Sequence, residues 1–113
     1  RQALTRALKL WLRAALEPEP RRVILETGPA VLGLARARQI EEAVTQTPVR
    51  RLIERAVERG QARCEDPDLA ARLLCVAVGE LALTAAQRGI QGKTLARLDP
   101  ALDALVEALV PTG

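Results

Sequence analysis

The segment that opens at Asp66-Pro67 and runs without another proline to about Arg88 constrains the fold more than any other stretch. Aspartate before proline is a helix start. The carboxylate caps free N–H groups, and proline in the first turn lacks only an N–H that had no partner there. Wound at 3.6 residues per turn, the segment places Leu74, Val78, Leu81 and Ala85 on one wholly apolar face. A second, separate face carries Leu69, Leu73, Val76 and Leu83, mixed with Arg72, Glu80, Thr84 and Gln87. One domain has one core, so the second apolar face needs another surface to cover it.

The remaining periodicity is also helical. Asp99-Pro100 repeats the start signal for a closing helix with Leu102, Leu105, Val106 and Leu109 as its stripe, flanked by Ala101, Ala104 and Ala108. Such small side chains let another helix approach closely. Near the beginning, Leu4, Leu8, Trp11, Leu12, Ala15 and Leu16 recur at helical spacing, with Ala3, Ala7, Leu10 and Ala14 as a second stripe beside them. A helix apolar over most of its circumference is expected centrally, enclosed on several sides. Glu17-Pro18-Glu19-Pro20 ends it. Arg21 to Glu26 reads as a short helix, broken by Gly28-Pro29 before a segment that reaches about Gln46. From Val49 to Arg59 the pattern is amphipathic, with Val49, Leu52, Ile53, Ala56 and Val57 on one face and Gly60 as the C-cap. Gly89 to Leu98 reads as an irregular connection. The expected fold is therefore all-α, one domain of about six helices over residues 1–113.

Composition agrees. Hydrophobic residues make up 49% of the 113, yet Phe, Tyr and Met are absent and Trp11 is the one aromatic, so Leu, Ala, Val and Ile must fill the interior. That favours helix packing over strands. The net charge of +3 comes from interspersed residues rather than a basic block, which gives no strong nucleic-acid signal. Cys64 and Cys75 lack zinc-ligand spacing, and free thiols in a reducing cytoplasm fit best. No metal or cofactor is expected. No apolar stretch is read as reaching the ~20 residues that cross a bilayer, so no membrane association is expected.

Two stretches resemble a known family. Arg21-Arg22-Val23-Ile24-Leu25-Glu26-Thr27-Gly28-Pro29-Ala30-Val31-Leu32-Gly33 is similar to the start of the C-terminal domain in many TetR-family transcriptional regulators. Ala56-Val57-Glu58-Arg59-Gly60, followed by Asp66-Pro67-Asp68-Leu69-Ala70-Ala71-Arg72-Leu73-Leu74, resembles that family's turn into its long penultimate helix. The resemblance implies an effector-sensing and dimerising domain. The operator DNA would be read by an N-terminal helix-turn-helix that this sequence does not include. Members pair through their last two long helices as a four-helix bundle and hold an effector among the earlier ones. The chain departs from its relatives at Leu34-Ala35-Arg36, where they often carry bulky aromatics, so an aromatic-lined pocket does not carry over.

With that implication, the candidate effector site comprises Leu8, Trp11, Leu12, Val31 and Leu34, together with Ile53, Val57, Val78 and Leu81. Arg38 and Gln39 are the polar groups chosen to orient a small, mostly apolar ligand, although a plain surface role fits them too. Trp11 is either core filler or the one aromatic wall of the cavity. The candidate dimer interface comprises Leu69, Leu73, Val76, Glu80 and Leu83, with Leu102, Leu105, Val106 and Leu109 from the closing helix. Glu80 there pairs with Arg72 or Arg97 across the interface, or lies at an exposed edge. The alternatives are a ligand-free dimerisation module and a small helical enzyme. Catalysis fits poorly, because histidine, serine and tyrosine are all absent. Cys64, beside Arg63 in a polar connection, keeps a redox-sensing reading. Ala85, Gly89, Ile90, Leu95 and Leu98 match helix-turn-helix spacing, but a reading helix confined between Gly92 and Asp99 would have less than two turns.

Overall fold

A computed structural model describes residues 1–20, 22, 46–89 and 92–113, with side chains described from residue 96 onward in the last of these stretches. Four helices have defined bounds: α1 (Gln2–Ala15), α2 (Thr47–Glu58), α3 (Pro67–Arg88) and α4 (Gly92–Leu109). Residues 18–20 and 22 are helical again after the break at Leu16 and Glu17. The described residues contain no strand; an isolated bridge between Ala62 and Thr112 ties the α2–α3 connection to the tail beyond α4. Two backbone bonds flank it, Arg63 N–H to the Pro111 carbonyl at 2.9 Å and Gly113 N–H to the Gln61 carbonyl at 3.1 Å.

The helix ends follow from local chemistry. Asp66 caps α3, its carboxylate accepting the Leu69 N–H at 3.1 Å, and Pro67 sits in the first turn. At the end of α2, Gly60 has φ 71°. Its N–H reaches the Val57 carbonyl at 3.0 Å, and the Gln61 N–H reaches that of Ala56 at 2.9 Å. This is the left-handed termination that glycine adopts without steric cost.

The core is aliphatic and spans all four helices. Leu4, Leu8 and Leu12 from α1 meet Ile53 of α2, Leu74, Cys75 and Val78 of α3, and Leu102 and Val106 of α4, each at most 1% exposed. The protein is only 17 Å across its shortest axis, about two helix layers. A helix in a two-layer slab is covered on one side.

Three sequence expectations change. α1 touches all three other helices, yet it is not enclosed, because Leu10 is 64% exposed and Ala3 and Ala14 face solvent. α4 starts at Gly92 rather than at Asp99-Pro100, and Pro100 lies inside it. Leu98 continues the buried stripe of Leu102 and Val106, and Asp99 binds Arg13, so tertiary contacts hold the turn that proline alone would break. The length and hydropathy of α3 do suffice to cross a membrane. Eight of its residues are instead buried within the protomer, Leu74, Cys75 and Val78 among them.

Candidate functional site

The described members of the expected effector site come together. Leu8, Leu12, Ile53 and Val78 are buried in one cluster, and Trp11, Val57 and Leu81 pack partly buried against it. With exposures of 0–1%, the first four touch protein on every side. Val31, Leu34, Arg38 and Gln39 lie outside the described residues.

Among the described residues two grooves stand out, and none of the described effector candidates lines either. The larger, about 1040 Å³, runs between α1 and α4 beside Thr5, Arg6, Leu10 and Ala104. A row of ion pairs crosses it: Arg1 with Glu107, Lys9 with Asp103 at 2.8 Å and Arg13 with Asp99 at 2.9 Å. The helices are antiparallel here: Lys9 and Arg13, four residues apart on α1, meet Asp103 and Asp99, four residues apart on α4, and Arg1, just before α1, meets Glu107. The smaller groove, about 650 Å³, lies between α1, α2 and the chain end, with Leu52, Arg55, Arg59 and Gln61 on its wall. Both are open and charged, unlike an apolar ligand cavity.

The dimer residues divide by helix. On α3, Leu69, Leu73 and Val76 are 49%, 44% and 54% exposed, Glu80 is exposed and Leu83 half-buried. These positions recur at spacings of three and four and lie opposite Leu74, Val78 and Ala85, so α3 carries a second apolar face that its own protomer leaves open. On α4, Leu105 and Leu109 are half-buried, whereas Leu102 and Val106 are 0% and 1% exposed. These last two spend their surface inside the protomer and have none for a partner; the single stripe expected of α4 is its core face. Its other edge, opposite the acidic row, carries Ala101, Leu105 and Ala108. Gly79, on the rim of the open α3 face, was not singled out from sequence. The available signal was a glycine in the middle of a long helix.

Three titratable features bear on chemistry. Burial pushes the Cys64 thiol up, and the Asp66 and Glu65 carboxylates push the same way, against a backbone hydrogen bond from Asp66. That disfavours the thiolate a redox sensor needs. Cys75 is buried in the core. At the N-terminal ends of α2 and α3, Asp68 accepts a hydrogen bond from the Gln46 amide at 3.1 Å and lies 3.8 Å from Arg50 and 3.9 Å from Arg72.

The extended α4 also removes the reason for dismissing a DNA-reading helix, since it is 18 residues long. Its core face is nevertheless committed to Leu98, Leu102 and Val106, and its neighbouring face carries Asp99, Asp103 and Glu107. A row of carboxylates repels phosphate.

Comparison with known proteins returns one family. Neither a curated protein nor a solved structure matches the chain. The family described as "Tetracyclin repressor-like, C-terminal domain" matches residues 1–109, nearly the whole sequence, in agreement with the helical order and with the stretches around Gly28 and Asp66. The chain belongs to the TetR-repressor-like C-terminal domain family, whose members are regulatory rather than catalytic.

Proposed function

We propose that these 113 residues are the effector-sensing and homodimerising domain of a TetR-type regulator, acting in the cytoplasm without catalysis. Operator DNA is contacted through a separate DNA-reading domain. The open apolar face of α3 carries this reading. Leu69, Leu73 and Val76 would be a solubility liability on a monomer and are the natural centre of an interface. A second copy is the partner. One helix is not enough: a face about 33 Å long and about 10 Å wide offers roughly 330 Å², against about 800 Å² per partner in a standard interface. The Ala101, Leu105 and Ala108 edge of α4, with Leu109 beside it, supplies the rest, giving a four-helix bundle about a two-fold axis. Sedimentation tests it. The wild type should run at twice 12.2 kDa at micromolar concentration, and Leu105→Glu should shift it to monomer. A monomeric wild type overturns the dimer.

The effector half of the proposal rests on Leu8, Trp11, Leu12, Ile53, Val57, Val78 and Leu81 belonging to one core cluster; Val31, Leu34 and Arg38, outside the described residues, are kept as candidate contacts from the sequence alone. The ligand is small and mostly apolar, taking its affinity from burial. The close packing of Leu8, Leu12, Ile53 and Val78 favours the second reading, a dimerisation module with no ligand. Trp11 separates the two, because its fluorescence should change on titration with hydrophobic small molecules if the cluster opens. Invariant fluorescence across such a panel leaves the module.

A further inference from the structure

The homodimer proposed above leaves the pairing of the two copies of α3 to be determined, and the exposed face of that helix is self-complementary about one residue. Leu69 lies seven residues before Val76 and Leu83 seven after; Arg72 lies four before and Glu80 four after. All five share the side of α3 turned away from the core. In an antiparallel pair related by a two-fold axis, a residue n positions before the axis meets the one n positions after it on the partner. We infer that the axis passes at Val76. Val76 then packs against its own copy, Leu69 against Leu83 of the partner subunit, and Arg72 pairs with Glu80 of the partner subunit, each contact occurring twice.

Two further observations point to a partner in this register. Glu80 has no hydrogen bond or ion pair among the described residues, and Arg72 only a 3.9 Å approach to Asp68. One turn of helix from each, the pair has room to form across the axis. Gly79 is exposed, and a Cβ built there would meet nothing within 4 Å. Its φ is outside the left-handed region. Glycine in a helix interior is unfavourable relative to alanine, and nothing among the described residues calls for it. The register supplies a reason: Arg72 of the partner subunit crosses at this height on the same edge, and the missing side chain leaves it a path to Glu80. No other shift of α3 against its copy opposes Leu69 to Leu83 and Arg72 to Glu80 together; Leu73, the third leucine of the face, then stands level with Gly79 of the partner subunit.

The test rests on charge reversal and cross-linking in the 113-residue chain, with helicity checked by circular dichroism. Arg72→Glu and Glu80→Arg should each weaken the dimer at least tenfold, and the double exchange should restore it to within about threefold. Val76→Cys, in a Cys64→Ser background, should form a covalent dimer on mild oxidation. Gln87→Cys should not, because its two copies would stand about 33 Å apart. A stable dimer that cross-links through Gln87→Cys and not Val76→Cys, or charge reversals that the double exchange fails to rescue, overturns the register and leaves the dimer standing. A wild type that stays monomeric overturns both.

Discussion

Asp66 and Cys64 stand two residues apart and show how differently one connection uses its polar groups. The Asp66 carboxylate satisfies an otherwise free N–H at the start of α3, so Asp66→Ala should lower stability by about 1 kcal/mol, read from urea unfolding. Asp66→Asn should recover most of that loss, since the cap needs an oxygen rather than a charge. Cys64 is held neutral by burial and by nearby carboxylates. The folded chain keeps this proton to higher pH than the unfolded chain does. Its contribution to folding is whole below the ordinary thiol range and is lost as pH rises through the raised folded value. Alkylation of Cys64 by iodoacetamide should therefore be slower than that of an unstructured cysteine peptide at the same pH. The two should converge only in more alkaline solution; equal rates near neutral pH would contradict the shift. The capping residue was legible in the sequence because its effect is local. The state of Cys64 was not, because its largest cause is burial, which the fold supplies and the polar residues beside it in sequence do not announce.

Helices are where charge spacing and burial have to be weighed together. The ion pairs along the α1–α4 groove form a row, but their side chains remain substantially exposed, 30% for Lys9 and 53% for Asp103. Water and salt screen such pairs. A double-mutant cycle on Lys9→Ala and Asp103→Ala should return a coupling below about 1 kcal/mol that shrinks further in 0.5 M salt. The leucines beneath do far more. Leu8→Ala, at a position with no exposure, should cost about 2–5 kcal/mol. The acidic spacing at Asp99, Asp103 and Glu107 was present in the sequence, yet its partner row was hidden as long as Pro100 was read as a helix start. Proline preference is a local statistic, and the burial of Leu98 together with the Arg13–Asp99 pair outweighs it.

For the whole molecule, the decisive distinction is between apolar surface used inside the protomer and apolar surface left over. Leu102→Glu would bury a carboxylate in the core and should abolish folding, with loss of the helical circular dichroism signal. Leu73→Glu, on the open face of α3, should keep that signal and lose the dimer in sedimentation. If both variants behave alike, the division between core and interface is misplaced. The helix periods, the Asp66-Pro67 start and the Gly60 stop determined by themselves that this chain is all-helical, and the two faces of the Asp66 helix already showed that its core could not absorb every leucine. These are properties of neighbours along the chain, set within one or two turns. Which leucines are left over was decided only in three dimensions. Leu102 and Leu105 are indistinguishable by type and lie one turn apart, and only the position of α4 over α1 and α3 buries the first and leaves the second at the edge. The same holds for α1, whose second stripe of Ala3, Leu10 and Ala14 looks as apolar in sequence as the first. A slab two helices thick has room to cover one of them.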